Sequence, residues 1–187
     1  STIATALAAV YARDGRRVLF VGCDPKHDAS MKLVDEFPVK TIMGTMAARG
    51  ERNVRLEDFL MKGRLGIDCI EIGGPEPGVG CAGRGITKSF ELLARLGFSW
   101  AAYDAVVYDV LGDVVCGGFA APLHASHAEQ VYVVVSGEVM SLYAANNVCH
   151  AVKRFAGGGV VLGGLIGNAR EVRGEEAILA RFAKRLN

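Results

Sequence analysis

Two cysteines stand in glycine-rich surroundings that suit the ligands of a metal cluster. Cys81 lies within residues 73–85, which hold six glycines and two prolines, and Cys116 comes directly before two further glycines. Backbone N–H groups that no side chain shields can donate to a cysteine sulfur and stabilise a metal-bound thiolate. Neither cysteine has the C-x-x-C spacing of a zinc site. An iron–sulfur cluster needs four cysteines, so a symmetric dimer would complete the set with two from each chain.

The other three cysteines sit in apolar patterns. Cys23, Cys69 and Cys149 lie in or beside predicted strands and helices, where a small buried cysteine is the simpler interpretation. Five widely spaced cysteines do not form the framework of a secreted disulfide-rich protein. A reducing cytoplasm is therefore the expected location.

Charged residues follow two of the apolar runs and could act on a nucleotide. Lys26 could neutralise phosphate charge, Asp24 could orient a water for attack, and Asp28 could bind a Mg²⁺ water or sense the γ-phosphate. Asp109 stands three residues before Gly112, a pattern in which the carboxylate holds a Mg²⁺-bound water and the glycine N–H approaches a γ-phosphate. The first loop could instead be a solvated turn with an ion pair, and the second an ordinary polar turn.

Ser1 opens a helical pattern at the start of the first α/β unit. A P-loop reads G-x-x-x-x-G-K-[ST] and opens a helix, and its Ser or Thr hydroxyl ligates Mg²⁺. Ser1 stands where that hydroxyl belongs, which would place the glycine-rich cradle and its lysine before residue 1. The alternative is that Ser1 only caps the helix.

Strands and helices alternate along the chain and predict a doubly wound α/β fold. Apolar runs of strand length occupy residues 17–23, 67–72, 104–110, 130–136 and 160–167. After the helix at Ser1, further helical patterns occupy residues 41–48, 86–96, 139–155 and 175–186. The alternation is typical of a mostly parallel sheet with helices on both faces, here of the P-loop NTPase type. We expect one domain over residues 1–187, with a first strand and P-loop before it and more chain after it.

Composition excludes several other classes of protein. The 187 residues carry 21 Lys and Arg against 20 Asp and Glu, a formal charge of +1. This balance argues against a nucleic-acid binder driven by phosphate neutralisation. No apolar run reaches the ~18 residues of a membrane span, so we expect no membrane partner.

Several segments together resemble the nitrogenase iron protein and its relatives. The resemblance rests on residues 22–26, 73–85 and 108–119, and residues 136–138 and 143–147 extend it. It covers essentially the whole chain, and the two cysteine loops are its most specific parts.

The resemblance implies a homodimeric ATPase with one [4Fe–4S] cluster shared between its subunits. Single electrons would pass from a ferredoxin or flavodoxin, through the cluster, to a larger catalytic metalloenzyme of the nitrogenase-like kind. Cys81 and Cys116 match the cluster ligands. Arg84 matches an exposed arginine beside the cluster that serves docking and, in some members, modification.

The resemblance also implies a site for ATP and Mg²⁺. Ser1 matches the P-loop serine that ligates Mg²⁺, with Thr2 beside it, and Asn168 matches an adenine-contacting asparagine. The first switch region would contain Asp24, Lys26 and Asp28. The second would contain Asp109, Gly112 and Asp113, and it runs through residues 114–117 into the cluster ligands. We therefore expect nucleotide state to gate electron transfer through this connection.

The sequence mixes features of two branches of this family. Residues 73–85 and 136–147 resemble nitrogenase, whereas His27 stands where nitrogenase iron proteins usually have Ala. Ala121-Pro122-Leu123 replaces the usual Met-Pro-Ile. Residues 26–28 and 119–123 are more similar to the chlorophyll-synthesis reductases. The mixture favours a nitrogenase-like reductase outside both branches. The first candidate is the methylthio-alkane reductase system, which cleaves C–S bonds. Nitrogenase itself follows, then the reductases of chlorophyll or nickel-tetrapyrrole synthesis.

Two other kinds of ATPase share the predicted fold. A non-redox ATPase that partitions chromosomes or positions division sites has the same nucleotide switches, but has no need of cysteines in glycine loops. An iron–sulfur assembly ATPase usually carries its bridging cysteines as a close C-x-x-C pair, which this sequence lacks around Cys81 and Cys116.

Overall fold

Short apolar strands alternate with longer helices, as the sequence pattern predicts. The computed structural model describes residues 1–74, 82–112, 123, 128–155 and 159–186. These residues form two compact units, one over Ser1–Leu111 and the other over the described residues from Gly112 onward. Each unit has its own sheet.

The sheet of the first unit has four strands. They are β1 (Val18–Gly22), β2 (Met61–Lys62), β3 (Asp68–Glu71) and β4 (Ala105–Asp109), in the order β2-β3-β1-β4. β1 runs parallel to both β3 and β4, and only the short β2 is antiparallel to its neighbour. All five residues of β1 are buried, as expected of a central parallel strand. At the carboxyl edge, Gly22 pairs in register with Glu71 on one side and with Asp109 on the other.

Three helices belong to the first unit: α1 (Thr2–Arg13), α2 (Ile42–Arg49) and α3 (Ala82–Arg95). Short 3-10 turns lie at Ala29–Lys32, Glu51–Asn53, Leu56–Asp58, Arg64–Gly66 and Trp100–Ala102. α1 packs against β1 and β4, and its buried Ala8 joins Phe20 and Val107 in the core. Thr41 caps α2 because its hydroxyl accepts a hydrogen bond from the Gly44 N–H at 2.9 Å.

The second unit is built on a parallel pair of strands. β5 (Gln130–Val135) lies beside β6 (Val161–Gly167), with Val135 opposite Gly167 at the carboxyl edge. Helix α4 (Val139–Phe155) packs against both strands, and α5 (Glu175–Leu186) follows β6. None of the helices in the parts of the chain described above is long and apolar enough to cross a membrane.

All five predicted strands are present, and the mixed α/β fold with a mostly parallel sheet is confirmed. The helix predicted over residues 86–96 begins earlier than expected, because α3 spans Ala82–Arg95 and takes in the end of the glycine-rich stretch. Gly83 and Gly85 lie in the first turns of this helix. Gly85 is buried against Met43, whose Sδ would lie 3.3 Å from an added Cβ. The close packing of α3 at this point therefore favours glycine, although glycine has a low propensity for the helix. The single domain over residues 1–187 stays a prediction.

Candidate functional site

The carboxyl edge of the first sheet brings the predicted nucleotide residues together. β3, β1 and β4 end in register at Glu71, Gly22 and Asp109. Ligands of open α/β sheets bind outside the carboxyl ends of the parallel strands. The loop after β1 and the D-x-x-G segment after β4 therefore leave the sheet at its ligand-binding edge.

Ser1 lies close to Asp109. The backbone nitrogen of Ser1 is 3.4 Å from Oδ1 of Asp109, whose side chain is largely buried. Ser1 directly precedes α1, which packs against β4. Ser1 is the N-cap of α1, and its carbonyl oxygen accepts a 2.9 Å hydrogen bond from the Thr5 N–H, but its hydroxyl makes no capping hydrogen bond. The two predicted Mg²⁺-associated residues thus share one corner of the fold.

Thr2, the other residue expected near the nucleotide at this corner, forms a side-chain hydrogen bond with Lys32. Its hydroxyl oxygen accepts a hydrogen bond from the Lys32 ammonium at 2.9 Å. Lys32 ends the 3-10 turn that follows the first predicted switch loop. The start of α1 is thereby tied to that turn.

The loop after β1 holds a lysine between two carboxylates. The Lys26 ammonium lies 3.7 Å from Asp24 and 3.7 Å from Asp28, and its side chain is 71% exposed. Asp24 is mostly buried and also accepts a 2.8 Å hydrogen bond from the Lys26 N–H. The pair with the half-exposed Asp28 is of the surface kind that contributes only about 0–1 kcal/mol. Lys26 can therefore leave Asp28 for a stronger anion at small cost.

His27 shapes the same loop and is exposed. Its φ of 46° lies in the left-handed region, and its Nδ1 is 3.1 Å from the Pro25 carbonyl oxygen. The backbone therefore turns sharply between Lys26 and Asp28.

Glu71 is a buried carboxylate that sequence analysis missed. It is fully buried, and its Oε1 accepts a 2.5 Å hydrogen bond from the Ser30 N–H. Its Oε2 has no hydrogen-bond partner within the described residues. Burial raises the pKa of this carboxyl, and the nearby charge of Asp109 raises it further, against the hydrogen bonds from Ser30. The only available signal was an acidic residue ending an apolar strand just before the glycine-rich loop.

The close approach of Glu71 explains the glycine that ends β1. An added Cβ on Gly22 would lie 2.1 Å from Oε2 of Glu71, a distance that no real side chain tolerates. The carboxylate therefore occupies the space that a side chain at position 22 would need.

The three cysteines expected in the core are buried, as predicted. Burial raises the pKa of the Cys23 thiol, with contributions from Glu71 and Asp109, and raises that of Cys69 to about 12. Both thiols therefore remain protonated and unreactive at neutral pH.

In the second unit, the loops after β5 and β6 line a shallow cavity of about 170 Å³ that is open to solvent. Its polar lining includes Ser136, Glu138, Asn168 and Arg170. The Asn168 N–H donates to the Val135 carbonyl at 2.8 Å, which continues the pairing of the two strands. The Ser136 hydroxyl donates to Oε2 of Glu138 at 2.9 Å. Asn168, the predicted adenine contact, therefore lies in a cavity at the carboxyl edge of this sheet.

The remaining predicted site residues are either exposed or outside the described residues. Arg84 is exposed in the first turn of α3. Gly112 is exposed, and an added Cβ there would meet nothing within 4 Å among the described residues. Cys81, Asp113 and Cys116 lie outside the described residues, as does Ala121-Pro122-Leu123. Within the described residues, no group of three or more His, Cys, Asp or Glu side chains is placed to hold a metal ion.

Comparison with known sequences gives matches along the whole chain. Residues 1–187 match the family described as 4Fe-4S iron sulfur cluster binding proteins, NifH/frxC family. The chain is 47% identical over 186 residues to the nitrogenase iron protein of Methanospirillum hungatei JF-1. This match covers 98% of the chain and 66% of the relative, so the chain spans just under two thirds of that protein.

Solved structures with the same fold are more distant in sequence. A ParA family ATPase from Chlorobium tepidum TLS matches with a TM-score of 0.65 and 16% identity, over 97% of this chain and 73% of that one. The cobyrinic acid a,c-diamide synthase from Mycobacterium smegmatis with bound ADP and magnesium matches with a TM-score of 0.64 and 17% identity, over 98% and 75%. At this identity the likeness shows the fold, which is that of P-loop NTPases.

Proposed function

Because the chain belongs to the NifH/frxC family of 4Fe-4S iron sulfur cluster binding proteins, we propose that it is the iron protein of a nitrogenase-like complex. In this role it hydrolyses ATP and passes single electrons from a [4Fe–4S] cluster to a catalytic metalloenzyme. The observation that carries the proposal is the 47% identity to a nitrogenase iron protein along 98% of the chain.

The corner formed by α1 and β4 is the proposed phosphate and Mg²⁺ end of the nucleotide site. Ser1 would supply a hydroxyl ligand, and Asp109 would hold a water of the ion, two oxygen donors of the kind that Mg²⁺ prefers. The 3.4 Å distance from the backbone nitrogen of Ser1 to Oδ1 of Asp109 supports a shared corner for these two residues. Mg²⁺ would neutralise charge on the phosphates.

Residues of the first switch loop would act on the γ-phosphate and the attacking water. Lys26 would exchange its ion pairs with Asp24 and Asp28 for the phosphate oxygens, which carry more charge. Asp24, released from Lys26, would accept a proton from the water. Gly112 would approach the γ-phosphate with its backbone N–H, and the finding that no described residue lies within 4 Å of an added Cβ supports that use.

The cluster site would be shared between two copies of the chain. Cys81 and Cys116 would each contribute one thiolate per subunit, which gives the four ligands of a [4Fe–4S] cluster on the two-fold axis. Arg84, exposed at the start of α3, would lie on the face that docks the catalytic partner.

Two connections would couple the nucleotide to the cluster. One is the chain itself, which runs from Asp109 through residues 110–115 to Cys116. The other is Glu71, which binds the N–H of Ser30 just after the first switch loop and itself precedes the cysteine loop by two residues. A displacement of the switch loop would therefore move the base of the cluster loop as well.

The catalytic partner we propose first is methylthio-alkane reductase, which cleaves C–S bonds. His27 and Ala121-Pro122-Leu123 separate this chain from the usual nitrogenase pattern and carry that choice. Nitrogenase, and then the reductases of chlorophyll or nickel-tetrapyrrole synthesis, are the alternatives. A ferredoxin or flavodoxin in the cytoplasm would supply the electrons, with no nucleic acid or membrane involved.

An anaerobic preparation of the full-length protein tests the proposal. We expect a brown, dithionite-bleachable dimer with about four irons, whose chromophore is lost in Cys81→Ser. Cys149→Ser is the matched control, since Cys149 is buried in α4, and should keep the chromophore. A colourless wild-type protein that still hydrolyses ATP would instead favour a non-redox positioning ATPase. Purification with each candidate catalytic component then identifies the substrate.

A further inference from the structure

One carboxylate in the second unit binds backbone groups of two different loops. Glu175 is the first residue of α5 and is only 8% exposed. Its Oε1 accepts a 2.7 Å hydrogen bond from the Gly137 N–H. Its Oε2 accepts hydrogen bonds from the N–H groups of Arg170, at 2.8 Å, and Val172, at 3.3 Å. Both oxygens of the carboxylate are therefore used by the backbone.

The two loops held in this way form the cavity that contains Asn168. Gly137 follows β5 and lies between Ser136 and Glu138, which both line the cavity. Arg170 follows β6, lines the opposite wall and stands two residues after Asn168. Glu175 thus fixes the spacing between the walls of a cavity at the carboxyl edge of two parallel strands, where ligands of such sheets bind.

The fit between Glu175 and the first loop is tight. An added Cβ on Gly137 would lie 2.8 Å from Cγ of Glu175 and 3.2 Å from its Cβ. The backbone at position 137 therefore approaches the glutamate more closely than any residue with a side chain could. The backbone N–H groups that donate to Glu175 lower the pKa of its carboxyl. The side chain therefore stays ionised and keeps these hydrogen bonds at neutral pH.

We propose that Glu175 is a positioning residue for nucleotide selection: by holding the loops after β5 and β6 together, it sets the place of the Asn168 side chain against the adenine base. This inference rests on the proposed function, because the ligand it concerns is ATP. A carboxamide can accept from the exocyclic amino group of adenine and donate to N7, whereas guanine offers an acceptor where adenine has that donor. A displaced Asn168 would lose this discrimination.

The test is nucleotide selectivity in the full-length protein. Glu175→Gln keeps the size of the side chain, but places an NH₂ group against N–H groups of one loop, so that loop should move. We expect the KM for MgATP to rise about tenfold, which is the size of change expected when a hydrogen bond to a charged group is lost. The preference for MgATP over MgGTP should fall by a similar factor. The kcat at saturating MgATP and the cluster absorption should remain unchanged. Glu176→Gln, exposed and adjacent, is the matched control and should behave as wild type.

Selectivity separates this role from a merely structural one. A structural loss would lower thermal stability and leave the ratio of KM values for ATP and GTP at the wild-type value, and that result would overturn the inference while leaving the proposed function intact. If Glu175→Gln does not fold, Gly137→Ala is the second variant, because its added methyl group would displace the Glu175 side chain. It should shift the same ratio of KM values for ATP and GTP. A wild-type protein that neither binds nor hydrolyses ATP would overturn the proposed function and this inference together.

Discussion

The backbone N–H of Ser30 donates a 2.5 Å hydrogen bond to Oε1 of Glu71, and both residues are fully buried. Ser30 follows Asp28, the last residue of the first predicted switch loop, by two positions. Glu71 precedes Gly73, where the glycine-rich cysteine loop begins, by the same interval. One hydrogen bond therefore joins the base of the loop proposed to bind phosphate to the base of the loop proposed to bind the cluster.

Glu71→Gln should remove a pH dependence of stability. Burial raises the pKa of the Glu71 carboxyl above its ordinary value of 4.5. The contribution of such a group to stability is fully present below its unfolded-state pKa and is lost as the pH rises through the raised folded-state pKa. The wild-type free energy of unfolding should therefore fall, relative to that of Glu71→Gln, as pH rises above 4.5. The slope difference can reach about 1.4 kcal/mol per pH unit while Glu71 titrates.

Urea unfolding of the full-length wild type and variant across this pH range measures the difference. Glu57→Gln is the control, because the Glu57 side chain is 73% exposed and should leave the wild-type slope unchanged. Parallel stability curves for wild type and Glu71→Gln would show that Glu71 is as readily ionised in the fold as in the unfolded chain.

Glu71→Leu should weaken the coupling between nucleotide and cluster. Leucine fills a similar volume but leaves the Ser30 N–H without its acceptor, so the switch loop loses its contact with the end of β3. We expect ATP affinity to change less than about threefold, since the substitution lies outside the proposed phosphate contacts. The proposed coupling predicts that MgATP shifts the reduction potential of the wild-type cluster, and this shift should be markedly smaller in Glu71→Leu.

The conservative variant separates coupling from packing in this experiment. The side-chain oxygen of Gln can still accept from the Ser30 N–H, so Glu71→Gln should restore most of the MgATP-induced shift in potential. An undiminished shift in Glu71→Leu would mean that the signal passes only through the chain between Asp109 and Cys116.

Local sequence patterns predict the elements of this fold well, because hydrophobic period and strand length are properties of neighbouring residues. The same patterns assign Ser1 and Asp109 separately to a Mg²⁺ ion, since each stands near the end of an element, and only the folded chain shows that the two residues lie close together. The start of α3 was missed because glycines at 83 and 85 disfavour a helix locally, and packing of Gly85 against Met43 overrides that preference.

The buried carboxylates could not be predicted in this way. Glu71 finds its donor 41 residues earlier, and Glu175 finds one of its donors 38 residues earlier. Nothing near either glutamate in sequence marks these partners. The glycines at 22 and 137 that make room for them also look ordinary until the folded chain shows what lies against them.

Asp109→Asn should separate ATP hydrolysis from electron delivery. The substitution keeps the side-chain size near Ser1 but removes the charge proposed to hold a Mg²⁺-bound water. We expect a cluster with wild-type absorption and iron content, together with electron transfer to the catalytic partner that no longer responds to ATP. Asp104→Asn, at the other end of β4 and 44% exposed, is the control and should keep the response. Fully retained coupling in Asp109→Asn would exclude Asp109 as part of the switch.

Substitutions of Gly22 and Gly112 should show that glycine is needed at the first position for packing and at the second for the response to ATP. Gly22→Ala forces a Cβ against Oε2 of Glu71 and should lower the free energy of unfolding by about 1–3 kcal/mol, as expected of overpacking. Gly112→Ala meets nothing within 4 Å among the described residues, so its stability should stay within about 0.5 kcal/mol of wild type. Its response to ATP should nevertheless be lost, because the added methyl group would block the γ-phosphate.

A double-mutant cycle identifies the cause of the loss in Gly22→Ala. Glu71→Ala makes room for the new methyl group, so the two substitutions should destabilise less together than the sum of their separate effects, by at least about 1 kcal/mol. Additive effects would mean that position 22 is constrained by something other than Glu71. A normal ATP response in Gly112→Ala would likewise show that the D-x-x-G segment is an ordinary turn, and the nucleotide sensor would then have to be sought in the loop that carries Asp24 and Lys26.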